Sequence, residues 1–433
     1  MSAAGPSNYE VFNIRKPKTG QVTGVEGRVL NFNYYESIYS PMITGRLMIE
    51  DTGGTIENEK GLLSTIKDGM KITGFEEVSF KIATAFGDLN FTDYPLIVTG
   101  SPATKDESNR QTLILNLVSK TEMISSSKPL SRNYPESPIS DTVQKILNKE
   151  LKISEDKLDI EKTQNQDKIK GNHRGALDVI QKICKKSIPA EGKDPGYFFF
   201  ETQDGFNFKS IDGLIKEGIK RFEDDATYAS NHTYFYFGAL VANLEKDINP
   251  NDFKVLIPPV IRRDEDQLQA LRNGLYNVRI ITKNSLTGEY KEEVKNLLSD
   301  TNLGEKQEKP VEDNVYFKTY AFHINPGENN PGVSDTILNN PANYIPQANM
   351  RYSLLHTQIV QIQIPCNVQL RAGQVIRLLL ENITQSNKNE QIYNELRSGF
   401  YMICHLSHTF TPNNSFTSLT LLRDTRELYT SKK

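Results

Sequence analysis

Two stretches near opposite ends of the chain alternate apolar and polar side chains with a period of two. Each runs strand, strand, polar loop, strand. In the first, Gly69–Ile82, Asp93–Gly100 and Thr112–Met123 follow one another, the last two joined by the polar Ser101–Gln111. In the other, Gly373–Glu381, Ser398–Phe410 and Phe416–Leu428 repeat the order across Thr411–Ser415. Period two sends successive side chains to opposite faces, which a half-buried strand requires and a helix cannot use. The echo is of pattern, not identity. It predicts a mainly β protein with two related antiparallel β-barrels, and three such chains would present six similar units in a ring.

Between the two ends the pattern changes. Val22–Tyr35, Ile43–Glu50 and Glu77–Ala83 read as further strands of the first barrel, with a short helix at Leu62, Leu63 and Ile66. Ser125–Pro138 is rich in Ser and Pro and reads as a connector. Beyond it, Val143, Ile146, Leu147 and Leu151 share one helical face, with Ser140 or Asp141 placed to cap. Ala176, Leu177, Ile180, Ile183 and Cys184 form a second stripe, and Phe198–Phe208 reads as a hairpin turning at Asp204-Gly205. Strands return over 232–297 around a polar helix at Glu265–Arg272, with Asn277–Thr282 paired to Glu289–Val294. The stretch 300–345 has little periodicity and reads as a long polar surface excursion, followed by a helix near Ala342–Leu355. The expected organisation is therefore a first barrel (1–124), an α+β insert (125–230), the start of a second barrel with its excursion and helix (231–355), and the rest of that barrel (356–433).

Composition excludes several function classes. The chain has 433 residues, enough for about two to four domains. Lys and Arg total 51 against 54 Asp and Glu, a net charge of −3, without the basic excess of a dedicated nucleic-acid binder or polybasic membrane clamp. Hydrophobic residues make up only 37%, but 20 Phe and 19 Tyr supply large buried areas; with no Trp, indole platforms for sugars or cations are excluded. Three scattered cysteines, Cys184, Cys366 and Cys404, build neither a disulfide framework nor a metal knuckle. No signal-like segment opens the sequence and no apolar run approaches about 18 residues, so synthesis in a reducing cytosol without membrane insertion is expected.

No catalytic constellation is legible. The chain lacks a G-x-S-x-G elbow, a phosphate-binding G-x-x-x-x-G-K-[ST] loop and an H-E-x-x-H helix. In Cys404-His405-Leu406-Ser407-His408, strand alternation would put Cys404 and His408 on one side and His405 on the other, which splits the ligands of a metal site. Asp224-Asp225 and Asp264-Glu265-Asp266 read as solvated charge, although a hydrolase needs only two carboxyls roughly 5–10 Å apart, a distance that sequence does not show. No enzyme activity, cofactor or metal is expected.

Several segments taken in order carry a resemblance. Tyr34-Tyr35-Glu36-Ser37-Ile38-Tyr39-Ser40-Pro41 precedes Gly45-Arg-Leu-Met-Ile-Glu-Asp51; the helix from Arg174 to Ile183 leads to Tyr197–Ser210; Arg371-Ala-Gly-Gln-Val-Ile376 is followed by Ser398–Ile403, His408 and Leu421-Leu-Arg-Asp-Thr425. Together they resemble the baseplate central hub proteins of T-even-like contractile-tailed phages, over most of the chain and weakly over 300–345. The resemblance implies a non-enzymatic structural protein of the virion tail baseplate, assembled in the host cytoplasm. It implies a homotrimer of tube-like barrels, pseudo-sixfold at one end, with the tail-tube protein above, a spike protein below and other baseplate proteins around it. DNA would pass through without specific binding.

By that analogy the edges of Val22–Tyr34, Tyr94–Gly100 and Gly399–Phe410 would build the ring, since a free strand edge is a pairing template. The candidate interface residues are Tyr34, Tyr35, Gly45, Tyr94, Gly399, Phe400, Arg423 and Asp424. Gly45 and Gly399 serve a bend, a close backbone approach or a plain turn; Arg423 and Asp424 pair across a subunit boundary or lie on the surface without consequence. The alternatives are the hub of a related contractile injection or secretion apparatus, and a tail-associated cell-wall hydrolase.

Overall fold

The structure, a computed structural model of the chain, describes residues 5–52, 54, 56–57, 61–107, 110–191, 194–236, 253–263, 268, 272–274, 277–284, 288–297, 318–324, 341–380, 394 and 397–424. The N-terminal block contributes β1 (Asn8–Arg15), β2 (Val22–Gly24), β3 (Val29–Ser37), β4 (Thr44–Glu50), β5 (Ile56–Glu57), β6 (Leu63–Ser64) and helix α1 (Ile66–Met70). It continues with β7 (Glu77–Thr84), β8 (Gly87–Asn90), β9 (Leu96–Val98), β10 (Ala103–Glu107), β11 (Arg110–Val118) and α2 (Lys120–Ser127). The single strand expected over Val22–Tyr35 is split by a 3-10 turn at Glu26–Arg28. Glu26 is the cause: its carboxylate accepts the Phe12 N–H at 3.0 Å and holds the turn against β1. The expected helix begins only at Ile66, where Thr65 caps it and the buried Asp51 carboxylate accepts the Ile66 and Lys67 N–H groups at 2.7 and 3.1 Å. Leu62 and Leu63 precede it and are exposed.

The middle block holds β12 (Ser137–Pro138), α3 (Ile139–Lys149), β13 (Leu158–Ile160), β14 (Gln166–Asp167), α4 (Ala176–Ile183), β15 (Tyr197–Thr202), β16 (Gly205–Ser210), α5 (Ile211–Asp224) and α6 (Ala226–Asn231). Both helical stripes are where the spacing puts them. Val143, Ile146 and Leu147 of α3 pack with Leu177, Ile180 and Ile183 of α4 and with Phe199, Phe206 and Phe208 of the hairpin. Neither Ser140 nor Asp141 caps α3. Pro138 occupies that position, and the Ser140 N–H donates to the Thr163 hydroxyl at 3.0 Å.

The β15–β16 turn needs a glycine for two reasons. Gly205 sits at φ +137°, and a Cβ there would lie 2.2 Å from the Lys157 carbonyl oxygen, just before β13, which pairs in parallel with β16. Gly205→Ala should therefore cost at least about 1–3 kcal/mol from backbone strain alone, read as a lowered midpoint in guanidinium unfolding.

The remaining elements are β17 (Thr233–Tyr236), β18 (Val260–Arg263), β19 (Asn277–Asn284), β20 (Tyr290–Asn296), β21 (Lys318–Ile324), α7 (Pro341–Leu355), β22 (Gln358–Pro365), β23 (Val375–Leu380), β24 (Gly399–Phe410) and β25 (Ser415–Arg423). The expected β19–β20 hairpin pairing is present. The excursion expected at 300–345 contains a strand after all: β21 pairs in parallel with β19, and α7 covers that small sheet through Met350 and Leu354 against Val278 and Ile280. Most of the excursion, and most of the helix expected at Glu265–Arg272, lie outside the described residues.

Strands from both ends of the chain join in one 15-stranded sheet. Its main path runs β18-β22-β25-β24-β3-β4-β11-β9-β7-β1-β2. The seam is the antiparallel pair β3–β24, where Tyr34 faces His408 and Phe32 faces Phe410. One apolar core follows the sheet across this seam, from Phe12, Phe32 and Phe80 to Phe410, Ile403 and Leu421. Burial of each such side chain contributes about 1.5–3 kcal/mol, so the two ends are bound to each other by the same force that folds each of them. Where two barrels are expected, the described residues form a continuous sheet that does not close on itself, with β18 and β2 at its ends.

Candidate assembly interface

The eight residues expected at an interface fall into different environments. Tyr34 is buried in β3, its hydroxyl donating to Glu36 at 2.6 Å and its ring stacked on His408 at 5.8 Å. Gly45 is interior to β4, between Tyr34 of β3 and Leu117 of β11. Phe400 packs edge-on against Phe222 of α5 at 4.9 Å. Gly399, at φ +138°, lies under the Arg423 guanidinium, where a Cβ would sit 3.3 Å from Nη2. Of the eight, only Tyr35 (38% exposed) and Tyr94 (65%) are exposed, the latter with Lys157 Nζ 5.7 Å from its ring centroid.

Two expectations are corrected. The strands proposed as free edges are interior: β3 lies between β24 and β4, β9 between β11 and β7, and β24 between β25 and β3, with only β2 at an end. The chain satisfies these edges itself, β3 and β24 through their shared seam and β9 through β7 and β11. Arg423 and Asp424 are not a surface or cross-boundary pair either, because both are buried within one chain. Arg423 donates to the Ser398 carbonyl at 3.1 Å and lies over the Tyr401 ring, while Asp424 binds Arg351 of α7 at 2.8 Å.

Arg351 is 1% exposed and sits between two carboxylates. Its Nε donates to Asp212 of α5 at 3.1 Å and its Nη2 reaches Asp424. Asp194 stands beside this cluster; burial, and then the charge of Asp212, push its carboxyl up to about 6. The cluster ties α7 to α5 and to the end of β25. Sequence reasoning missed it because its members come from positions 194, 212, 351 and 424, with no local spacing to mark them.

A second buried polar cluster joins all three blocks. Glu36 of β3 accepts from the Tyr34 hydroxyl, from the Gln203 N–H in the hairpin turn at 2.9 Å, and from the Ala372 N–H before β23 at 2.9 Å. Burial raises its carboxyl, against the lowering pull of nearby Arg371. Arg371 in turn makes a bidentate pair with Asp204 at 2.9 and 3.1 Å. Glu201 of β15 accepts the Ile43 N–H at 3.0 Å, and burial pushes its carboxyl up to about 7.

The Cys404–His408 reading also changes. Pairing of β24 with β25 slips between Ile403 and His405, a β-bulge at Cys404 that reverses the phase of alternation. Cys404 therefore packs with Met402 and Leu422 in one core, while Leu406 and Phe410, the alternate neighbours of His408, belong to the other. Cys404 and His408 face opposite sides, not the same one. No group of three or more metal-ligating side chains occurs among the described residues.

What the surface offers is apolar strand ends. Leu256, Ile257 and Val260 are exposed at and before β18, and Val22 is exposed on β2, at the far end of the sheet path. A groove of about 680 Å³ runs beside β18, lined by Ile257, Val260, Arg262, Tyr35 and His405. The sequence did carry a sign of the β18 edge. Pro258-Pro259 cannot donate to a ladder, and prolines in sheets sit at edges or strand starts.

No protein-family model matches the chain, and no curated protein does. Among solved structures it is similar to a tail protein from Neisseria meningitidis MC58 (TM-score 0.52, 10% identity, 97% of each chain). It is also similar to the 43 kDa tail protein of prophage MuSo2 from Shewanella oneidensis (TM-score 0.51, 8% identity, 96% of this chain and 98% of that one). At such identities the likeness is one of fold, and it spans the chain from end to end.

Proposed function

We propose that the chain is a structural component of a phage contractile tail: the baseplate hub, a trimer whose two strand-rich ends act as paired tube-like units. In this reading three chains form a pseudo-sixfold ring that adapts the hexameric tail tube to a trimeric spike, meets other baseplate proteins, and lets DNA pass without gripping it. The role is non-enzymatic and belongs to the virion, with assembly in the host cytoplasm. The observation that carries the reading is the end-to-end fold likeness to two tail proteins, covering 97% or more of each of them. The two ends of the main sheet path, β18 and β2, fit it as well. They differ from each other, so joining one to the other in the next copy is a heterologous contact, which closes into a ring when the rotation allows. The net charge of −3 suits a bore that does not retain phosphates.

Light scattering on the purified protein, alone and with the spike protein, tests this. Three chains of 49.1 kDa give about 147 kDa, and that mass in either condition is the expected result. Val260→Asp on β18 should leave a folded monomer that no longer associates. A native chain that stays monomeric in both conditions would sink the reading.

A further inference from the structure

The seam between the hairpin and the N-terminal sheet is held through two buried acids, and its geometry has a consequence independent of any assembly role. Glu201 receives the Ile43 N–H, and the Ile43 carbonyl receives the Ser119 N–H at 3.0 Å, so one carboxyl fixes the entry to β4 and the exit from β11 together. Two residues along, the turn of the same hairpin is held by Glu36 through the Gln203 N–H. Both carboxyls are buried. The groups facing Glu201 are Glu36 from β3, Glu122 from α2, and the Ser119 hydroxyl. Those facing Glu36 are Tyr34, Arg371 and Glu201, with Arg371 already engaged by Asp204 and with His408 stacked on Tyr34. No cation faces Glu201 in this set. A negative charge there is met by two neutral donors, the Ser119 hydroxyl and the Ile43 N–H, against burial and the like charges of Glu36 and Glu122.

We propose that the Glu36–Glu201 pair is a proton-operated latch, in which a proton on Glu201 keeps the hairpin closed on the start of β4 and its loss lets that seam open. The oxygen that receives the Ile43 N–H goes on accepting while the other oxygen carries the proton, so closure and protonation are compatible. Opening exposes the carboxyl to water and relieves the charge.

The sign follows from linkage. The Glu201 carboxyl is raised in the closed seam, to about 7 from an ordinary value of 4.5. Closure is therefore strongest below 4.5 and weakens as pH rises towards 7, levelling off above it. Residue-resolved hydrogen exchange on the full chain, corrected for the intrinsic rate, should show the opening equilibrium at the Ile43 amide rising roughly seventy-fold from pH 5 to pH 8. The Leu115 amide, inside β11, should not follow it. In Glu201→Gln, which cannot ionise, the Ile43 opening should be flat with pH. Unchanged Ile43 opening in the native chain, or the same pH dependence in the Gln variant, would overturn the latch. If the variant does not fold, the native titration decides by itself: a plateau above about pH 7 supports the latch, and a continued rise beyond pH 8 refutes it.

Discussion

Arg351→Ala is expected to destabilise the chain by about 3–5 kcal/mol, the largest single-site loss among the residues described. Removing this guanidinium leaves Asp424 buried with its charge and without the 2.8 Å partner that compensates it, and takes the Nε donor from Asp212. The cost comes chiefly from the stranded charge, not from the attraction lost, so a double variant in which Asp424 also becomes Asn should recover part of it. Arg351→Lys keeps a positive charge but not the planar fork that reaches two carboxylates, and should fall between. Guanidinium unfolding followed by circular dichroism measures all three. A midpoint for Arg351→Ala within error of the native chain would remove the claim that this cluster fastens α7 to α5 and β25.

Glu36→Ala should be nearly as damaging, at about 3–4 kcal/mol. Three donors lose their acceptor together: the Tyr34 hydroxyl and the Gln203 and Ala372 N–H groups. Each buried donor left unpaired costs about 1–3 kcal/mol, with some relief from relaxation or entering water. Glu36→Gln retains an acceptor oxygen and its shape, and should lose about half as much. Proteolysis separates this effect from general destabilisation, because the first new cleavages should fall in the β15–β16 turn and near Ala372, where the freed amides lie. Cleavage spread evenly over the chain would argue that Glu36 matters only as one core residue among many.

The parts of this structure legible in the sequence are those governed by local periodicity. The stripes of α3 and α4, the β15–β16 hairpin and the three C-terminal strand segments follow from spacings of two and of three to four, which the backbone geometry fixes. What was not legible depends on contacts distant in sequence or on a single residue that breaks the period. Nothing near Tyr34 or His408 announces that they face each other, so both strands read as edges available to another chain. The bulge at Cys404 adds one residue to one strand, and every side-chain direction inferred beyond it was reversed. Arg423 and Asp424 read as a cross-boundary or surface pair because charged residues are rarely fully buried without partners, and the partner of Asp424, Arg351, lies far off in the sequence, in α7. Of the eight interface candidates, six are explained by packing within the chain. Only Tyr35 and Tyr94 remain as surface features.

The β3–β24 seam sets a timetable as well as a shape. Asn33 and Thr409, hydrogen-bonded across it at 2.8 Å, are 376 positions apart. At about 5–20 residues per second, a ribosome needs roughly 20–75 s to deliver the second after the first. During that interval β3 has β4 on one side and nothing on the other, and the apolar face around Phe32 lacks Phe410. A nascent chain is therefore most vulnerable to chaperones, proteases and its own neighbours late in synthesis, when the N-terminal strands are complete in sequence but not in partners. Early truncation would make that transient state permanent. Such contact order belongs to slow folding, and it makes β24 and β25, within residues 399–423, indispensable to the N-terminal strands.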